Sequence, residues 1–124
     1  MSQDTVADAL NQIMNIRKAG KEEVTIKRHS KFLLSVLAIA KLKDYIKDYK
    51  PDGTELKITL DKINACQAIK PRYKVQVKDI EKYTKRYLPA KNIGVLIIST
   101  SEGLMTHQTA QDKNLGGSLI AYMY

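Results

Sequence analysis

Apolar residues recur at helical spacing in "DTVADALNQIMNIRK" (4–18), where Val6, Leu10, Ile13 and Met14 share a face and polar groups take the rest. Asp4 is placed to cap this helix and Gly20 to end it. The period drops to two in "EVTIKR" (23–28), which predicts a short strand with Val24 and Ile26 on one side. Ser30 then offers its hydroxyl to the free amides of a second helix, "KFLLSVLAIAKLK". That segment is apolar nearly all round, so neighbours are expected on several of its sides. "YIKDYK" and "ELKITL" read as two strands joined by "PDG". Pro51 fixes φ at the second turn position, Asp52 tolerates the turn and Gly53 accepts a positive φ.

The second half has a different rhythm. "INACQAI" and "YKVQV" are short strands either side of the "KPR" break at 70–72, and "KDIEKYTKRY" (78–87) supplies one or two helical turns before Pro89. "IGVLIIS" (93–99) is a continuous apolar run of strand length, rich in branched side chains, as in a central strand. "THQTAQDKN" (106–114) predicts a short helix capped by Thr106, with Gly116 for its left-handed end, and "SLIAYMY" a closing strand. The fold class is therefore mixed α/β (α+β). Two small packed half-domains are expected, an N-terminal α-β-α-β-β unit over 1–66 and a C-terminal unit over 67–124 that is mostly β with short helices.

Composition narrows the setting. No apolar stretch approaches the roughly 20 residues that cross a bilayer, and "MSQDTVADAL" lacks the basic-then-apolar plan of a signal peptide. One cysteine, Cys66, excludes an internal disulfide and suits a reducing cytosol, where it reads as a small buried apolar residue. Lysine and arginine total 21 against 13 acids, a net charge of +8. Such an excess points to a polyanionic partner. It is concentrated between Lys70 and Lys91, where eight basic residues face only Asp79 and Glu81, while the chain from Asn92 onward carries Lys113 against Glu102 and Asp112.

Immediately after that basic segment the apolar run ends in "STSEGLMT" (99–106), three consecutive hydroxyls followed by Gly103. A hydrolase would need Ser99 or Ser101 as nucleophile, His107 as base and Asp112 to orient it. No Gly-x-Ser-x-Gly elbow is present, and His107 opens what reads as a solvated helix. The phosphate-cradling glycine loop is missing too, and Asp112, Glu102 and His107 match no metal spacing. A basic module for an acidic protein partner has no use for the hydroxyls.

RNA suits them better. A hydroxyl both donates and accepts on a short rigid stem, and a glycine lets a base or sugar lie against the peptide. The basic run supplies salt-sensitive attraction, and Tyr73, Tyr83 and Tyr87 within it could stack on bases. In the first half, Asn15, Arg17, Lys18 and Lys21 gather at one helix end, and Lys31 stands at the next helix start, a position suited to phosphate.

"LIISTSEGLMTHQTAQDKNLGGSLIAYMY" closely resembles the C-terminal signature of small-subunit ribosomal protein eight, and "DTVADALNQIMNIRKAGKEEVTIKRHSK" looks like the same family's first helix and strand. "INACQAIKPRY" with "RYLPAKNIGVLIIST" is similar to its archaeal and eukaryotic branch. The resemblance implies a non-enzymatic, cytoplasmic ribosomal protein without cofactor or metal, a monomer when free. It implies early, direct binding to a stem with an irregular internal loop in the central domain of small-subunit rRNA, beside neighbouring small-subunit proteins. On the matching positions, Ser99, Thr100, Ser101 and Gly103 would contact distorted bases and sugar edges. Gly116 and Gly117 would let the adjoining backbone come near, and Lys31 and Asn15 would reach RNA from the first half.

Overall fold

Val6, Leu10 and Ile13 are all buried on one face of α1 (Thr5–Lys18), as their spacing requires. The computed structural model describes residues 5–27, 29–70, 72–90 and 93–124, so the expected cap at Asp4 and the end of the basic run at Lys91 lie outside the described residues. α1 ends at Gly20 (φ 77), whose N–H donates to Arg17 O while the Lys21 N–H donates to Ile16 O, both at 3.1 Å. These are the two bonds of a left-handed helix end.

β1 (Glu23–Ile26) leads to α2 (Lys31–Leu42), capped by Ser30, which accepts the Leu33 N–H at 3.2 Å. β2 (Ile46–Asp52) and β3 (Glu55–Leu60) complete an antiparallel sheet of order β1-β3-β2, giving the expected α-β-α-β-β sequence of elements. Two local expectations need correction. The hairpin loop is Gly53–Thr54, because Pro51 and Asp52 still pair with Leu56 and Glu55. Pro51 is tolerated there since β2 is an edge strand. α2 is also covered less than its composition suggests: Leu33, Val36, Leu37 and Ala40 are buried, but Ala38 is exposed and Leu42 is 78% exposed.

The chain divides into two compact units, one ending at Gln67 and one running from Ala68 to Tyr124. The division falls within β4 (Cys66–Ala68). Cys66 is buried, its thiol donating to Leu10 O at 3.6 Å and its N–H to Met14 Sδ at 3.2 Å. Burial pushes the thiol up to about 12.

The second unit contains β5 (Lys74–Val75), a 3-10 turn (Val77–Asp79), α3 (Ile80–Tyr87), β6 (Val95–Thr100), β7 (Gly103–Thr106), α4 (His107–Asp112) and β8 (Gly117–Met123). Its sheet has the order β4-β8-β6-β7, with β5 also pairing β8. β6 is central, as its branched apolar run predicts, and Leu96, Ile97 and Ile98 are fully buried. β7 is absent from the elements that the sequence pattern predicts. Its four residues carry no alternating signal, and its strand character comes from pairing with β6 from Ile97↔Thr106 to Thr100↔Gly103. Ile80, Leu88, Leu96, Ile98, Met105 and Leu119 belong to one apolar core.

Thr106 caps α4 as expected, accepting the Thr109 N–H at 3.3 Å. The left-handed end is not Gly116 but Asn114 (φ 58). Its N–H donates to Gln111 O at 3.1 Å, and the Leu115 N–H donates to Ala110 O at 2.9 Å. Asp44 (φ 65) closes α2 the same way, its own N–H donating to Lys41 O and the Tyr45 N–H to Ala40 O. Short polar side chains thus do what glycine does for α1. Among the described residues no helix is long and apolar enough to cross a membrane.

Candidate nucleic-acid interface

The hydroxyl cluster occupies the tip of the β6–β7 hairpin. Ser99 and Thr100 end β6, Ser101 and Glu102 form the loop, and Gly103 opens β7. Thr100 shapes that loop: its hydroxyl accepts the Glu102 N–H at 3.1 Å and donates to Gly103 O at 2.9 Å. Gly103 has φ 111, which an L side chain rarely adopts, and a Cβ there would meet nothing within 4 Å. The loop tip is therefore open on the glycine side. Glu102 also meets Lys113 from the end of α4 at 3.7 Å, an exposed contact that contributes little.

Sheet register adds Ser118, which the sequence did not suggest, and draws in Lys74 from the basic segment. Ser99 pairs with Ser118 on β8, and Ser118 pairs with Lys74 on β5. Side chains paired across a sheet share a face. Lys74, Ser118 and Ser99 thus form one row, with half-buried hydroxyls flanked by an exposed ammonium. Alternation turns Thr100 to the opposite face, where its hydroxyl lies 3.9 Å from Met105 Sδ. Only the register, set by pairing distant segments, brings Ser118 and Lys74 to Ser99.

Gly116 and Gly117 make this register possible. A Cβ on Gly117 would run into the Ser99 carbonyl, and one on Gly116 would come within 2.6 Å of Val75 O. Their smallness lets β5, β8 and β6 close, which delivers Ser118 beside Ser99. Six of the eight candidate positions therefore gather at one end of the second unit. Asn15 and Lys31 belong to the first. Both are exposed, with Asn15 in the last turns of α1 and Lys31 at the first position of α2. The Ser30 hydroxyl lies 3.3 Å from that of Thr5 at the start of α1. Asn15 is about 15 Å further along that helix, so the two are not brought together.

The basic segment also takes shape here. Lys82, Lys85 and Arg86 are exposed on α3, and Lys74 and Lys78 are exposed before it. Tyr73 stacks on Tyr83 with ring centroids 6.1 Å apart, and Tyr87 on Tyr122 at 5.5 Å. All four rings are half-buried against the core of the unit.

The hydrolase constellation does not assemble. His107 is not a solvated helix-start residue but only 4% exposed, and its Nδ1 accepts the Leu96 N–H at 3.1 Å. It lies at the base of the hairpin, while Ser101 is at the tip. From Leu96 to Thr100 the strand runs about 13 Å, so no Ser101–His107 hydrogen bond is possible. Among the described residues no group of three His, Cys, Asp or Glu side chains could hold a metal ion.

The family model described as ribosomal protein S8 matches residues 4–124. The chain belongs to the ribosomal protein S8 family. One relative, the protein named small ribosomal subunit protein uS8 of Nanoarchaeum equitans, is 41% identical over 129 residues, covering 100% of both chains. The S8 assignment makes this chain a structural ribosomal protein and not an enzyme. Its mixed helix and antiparallel-sheet architecture agrees with that assignment.

Proposed function

We propose that this S8-family chain is a structural constituent of the small ribosomal subunit and one of its primary rRNA-binding proteins. It grips a stem with an irregular internal loop in the central domain of the RNA and supports assembly there. The observation that carries this reading is the row Lys74, Ser118 and Ser99, with Ser101 and the open Gly103 at the adjoining hairpin tip. Short hydroxyls on a paired sheet are held rigidly, and they can donate to and accept from 2′-hydroxyls and base edges. Thr100 serves by holding the loop, and Gly116 and Gly117 by closing the strands beneath it. The exposed basic residues of α3 add long-range attraction. Lys31 and Asn15 contribute from the first unit; the start of α2 lies beside Thr5, about 15 Å along α1 from Asn15, so the two touch separate nucleotides. The protein acts as a single copy in the cytoplasm, beside other small-subunit proteins.

Chemical footprinting of small-subunit rRNA with the purified protein tests this directly, with protection expected at one irregular internal loop. In filter binding, the Ser99→Ala, Ser101→Ala double variant should bind that RNA about tenfold more weakly, close to 1.4 kcal/mol. Its thermal stability should barely change. Wild-type affinity in the double variant would remove the hydroxyls from the interface.

A further inference from the structure

We propose that Arg86 is an anchoring site for a single RNA phosphate, held in place by the rings of Tyr73 and Tyr87. The inference rests on the RNA-binding reading above and names a contact outside the hydroxyl row. Helical spacing puts Tyr83, Arg86 and Tyr87 along one stripe of α3. The Arg86 Cζ lies 5.8 Å from the Tyr73 ring centroid and 5.5 Å from that of Tyr87, within cation–π range of both. Those rings are themselves fixed. Tyr73 stacks on Tyr83, Tyr87 on Tyr122, and Tyr122 on Tyr124 at 6.1 Å, all packed against the core of the unit. A long side chain that is free on most surfaces is here positioned before any ligand arrives, which lowers the entropy lost on binding.

Its donors are nevertheless unspent. Arg86 is exposed, and among the described residues no carboxylate or carbonyl takes its N–H groups. Arg17 shows the contrast, since its Nε donates to Ile63 O at 2.9 Å and ties down the chain after β3. A guanidinium held by aromatic contacts, with none of its five donors taken among the described residues and with Lys82 and Lys85 exposed on the same helix, is matched to an anion that accepts two parallel bonds. The diester phosphate of RNA has that geometry. The tyrosine faces are largely turned on one another and on Arg86, so in this patch charge and N–H donors are what a nucleic acid meets, more than free stacking surface.

The test uses the full chain and the rRNA fragment protected in the footprint, titrated across a salt series. Arg86→Gln should weaken binding about tenfold and lower the salt slope by about one. Arg86→Lys keeps the charge, so the slope should hold while affinity still falls several-fold, because an ammonium lacks the fork. Tyr87→Phe keeps the ring and should bind like the wild type, whereas Tyr87→Leu should lose affinity several-fold with its fold verified by circular dichroism. Single methylphosphonate linkages then locate the contact: one position should weaken the wild type and leave Arg86→Gln unaffected. Wild-type affinity in Arg86→Lys, an unchanged slope in Arg86→Gln, or the absence of any such linkage overturns the proposal. A loss in Arg86→Gln without such a linkage assigns Arg86 to a base edge or to protein structure and overturns it equally. If the wild-type chain does not bind the RNA, the broader reading fails; if it binds and Arg86→Gln matches it, only this inference does.

Discussion

Cys66 carries a pH dependence that follows from its burial alone. Burial favours the neutral thiol, so the folded chain holds this proton more tightly than the unfolded chain does. The stabilising contribution is complete below 9.0, the ordinary value, and is lost as pH climbs toward about 12. Melting temperatures of the wild type and Cys66→Ala measured through that window should converge as pH rises, because only the wild type loses this contribution. Parallel curves would show that the thiol does not titrate this way. His107 teaches a related lesson about single residues. The sequence placed it correctly at a helix start, but a helix start can face inward. Nothing local says that the Leu96 amide, eleven positions earlier, needs an acceptor there.

At the scale of elements, the β6–β7 hairpin makes Thr100 an internal strut rather than a spare hydroxyl. Thr100→Ser keeps both loop bonds, and Thr100→Ala removes both, at a cost of about 1 kcal/mol in stability. Amide hydrogen exchange at Glu102 should accelerate in Thr100→Ala and stay slow in Thr100→Ser; equal protection in the two would dismiss the strut. Elements encoded by neighbouring residues were legible: the caps at Ser30 and Thr106, the end at Gly20, and the alternation of β1. What stayed hidden was made by distant partners. β7 is a strand because β6 lies beside it, and Ser118 joins Ser99 because Gly117 lets β8 and β6 approach. The left-handed residue Asn114 stayed hidden for a subtler reason. Gly116, nearby, advertised a backbone freedom that it does not use, since its smallness answers crowding against Val75.

Across the whole molecule, the unequal distribution of charge is readable from the sequence, because it depends on composition along the chain rather than on folding. Folding decides which charges share a surface, and α3 exposes Lys82, Lys85 and Arg86 together. Replacing Lys82 and Lys85 by glutamine should reduce the salt slope of RNA binding by about two while leaving the preferred site unchanged. A slope equal to that of the wild type would move the phosphate contacts to another face. The seam between Gly117 and the Ser99 carbonyl has a last consequence. The inward press of one bare α-carbon sets the spacing of Ser99 and Ser118, so even a single added methyl there would force β8 away from β6. The gripping surface can be retuned at its exposed tip, but at its root shape and chemistry are welded into one part.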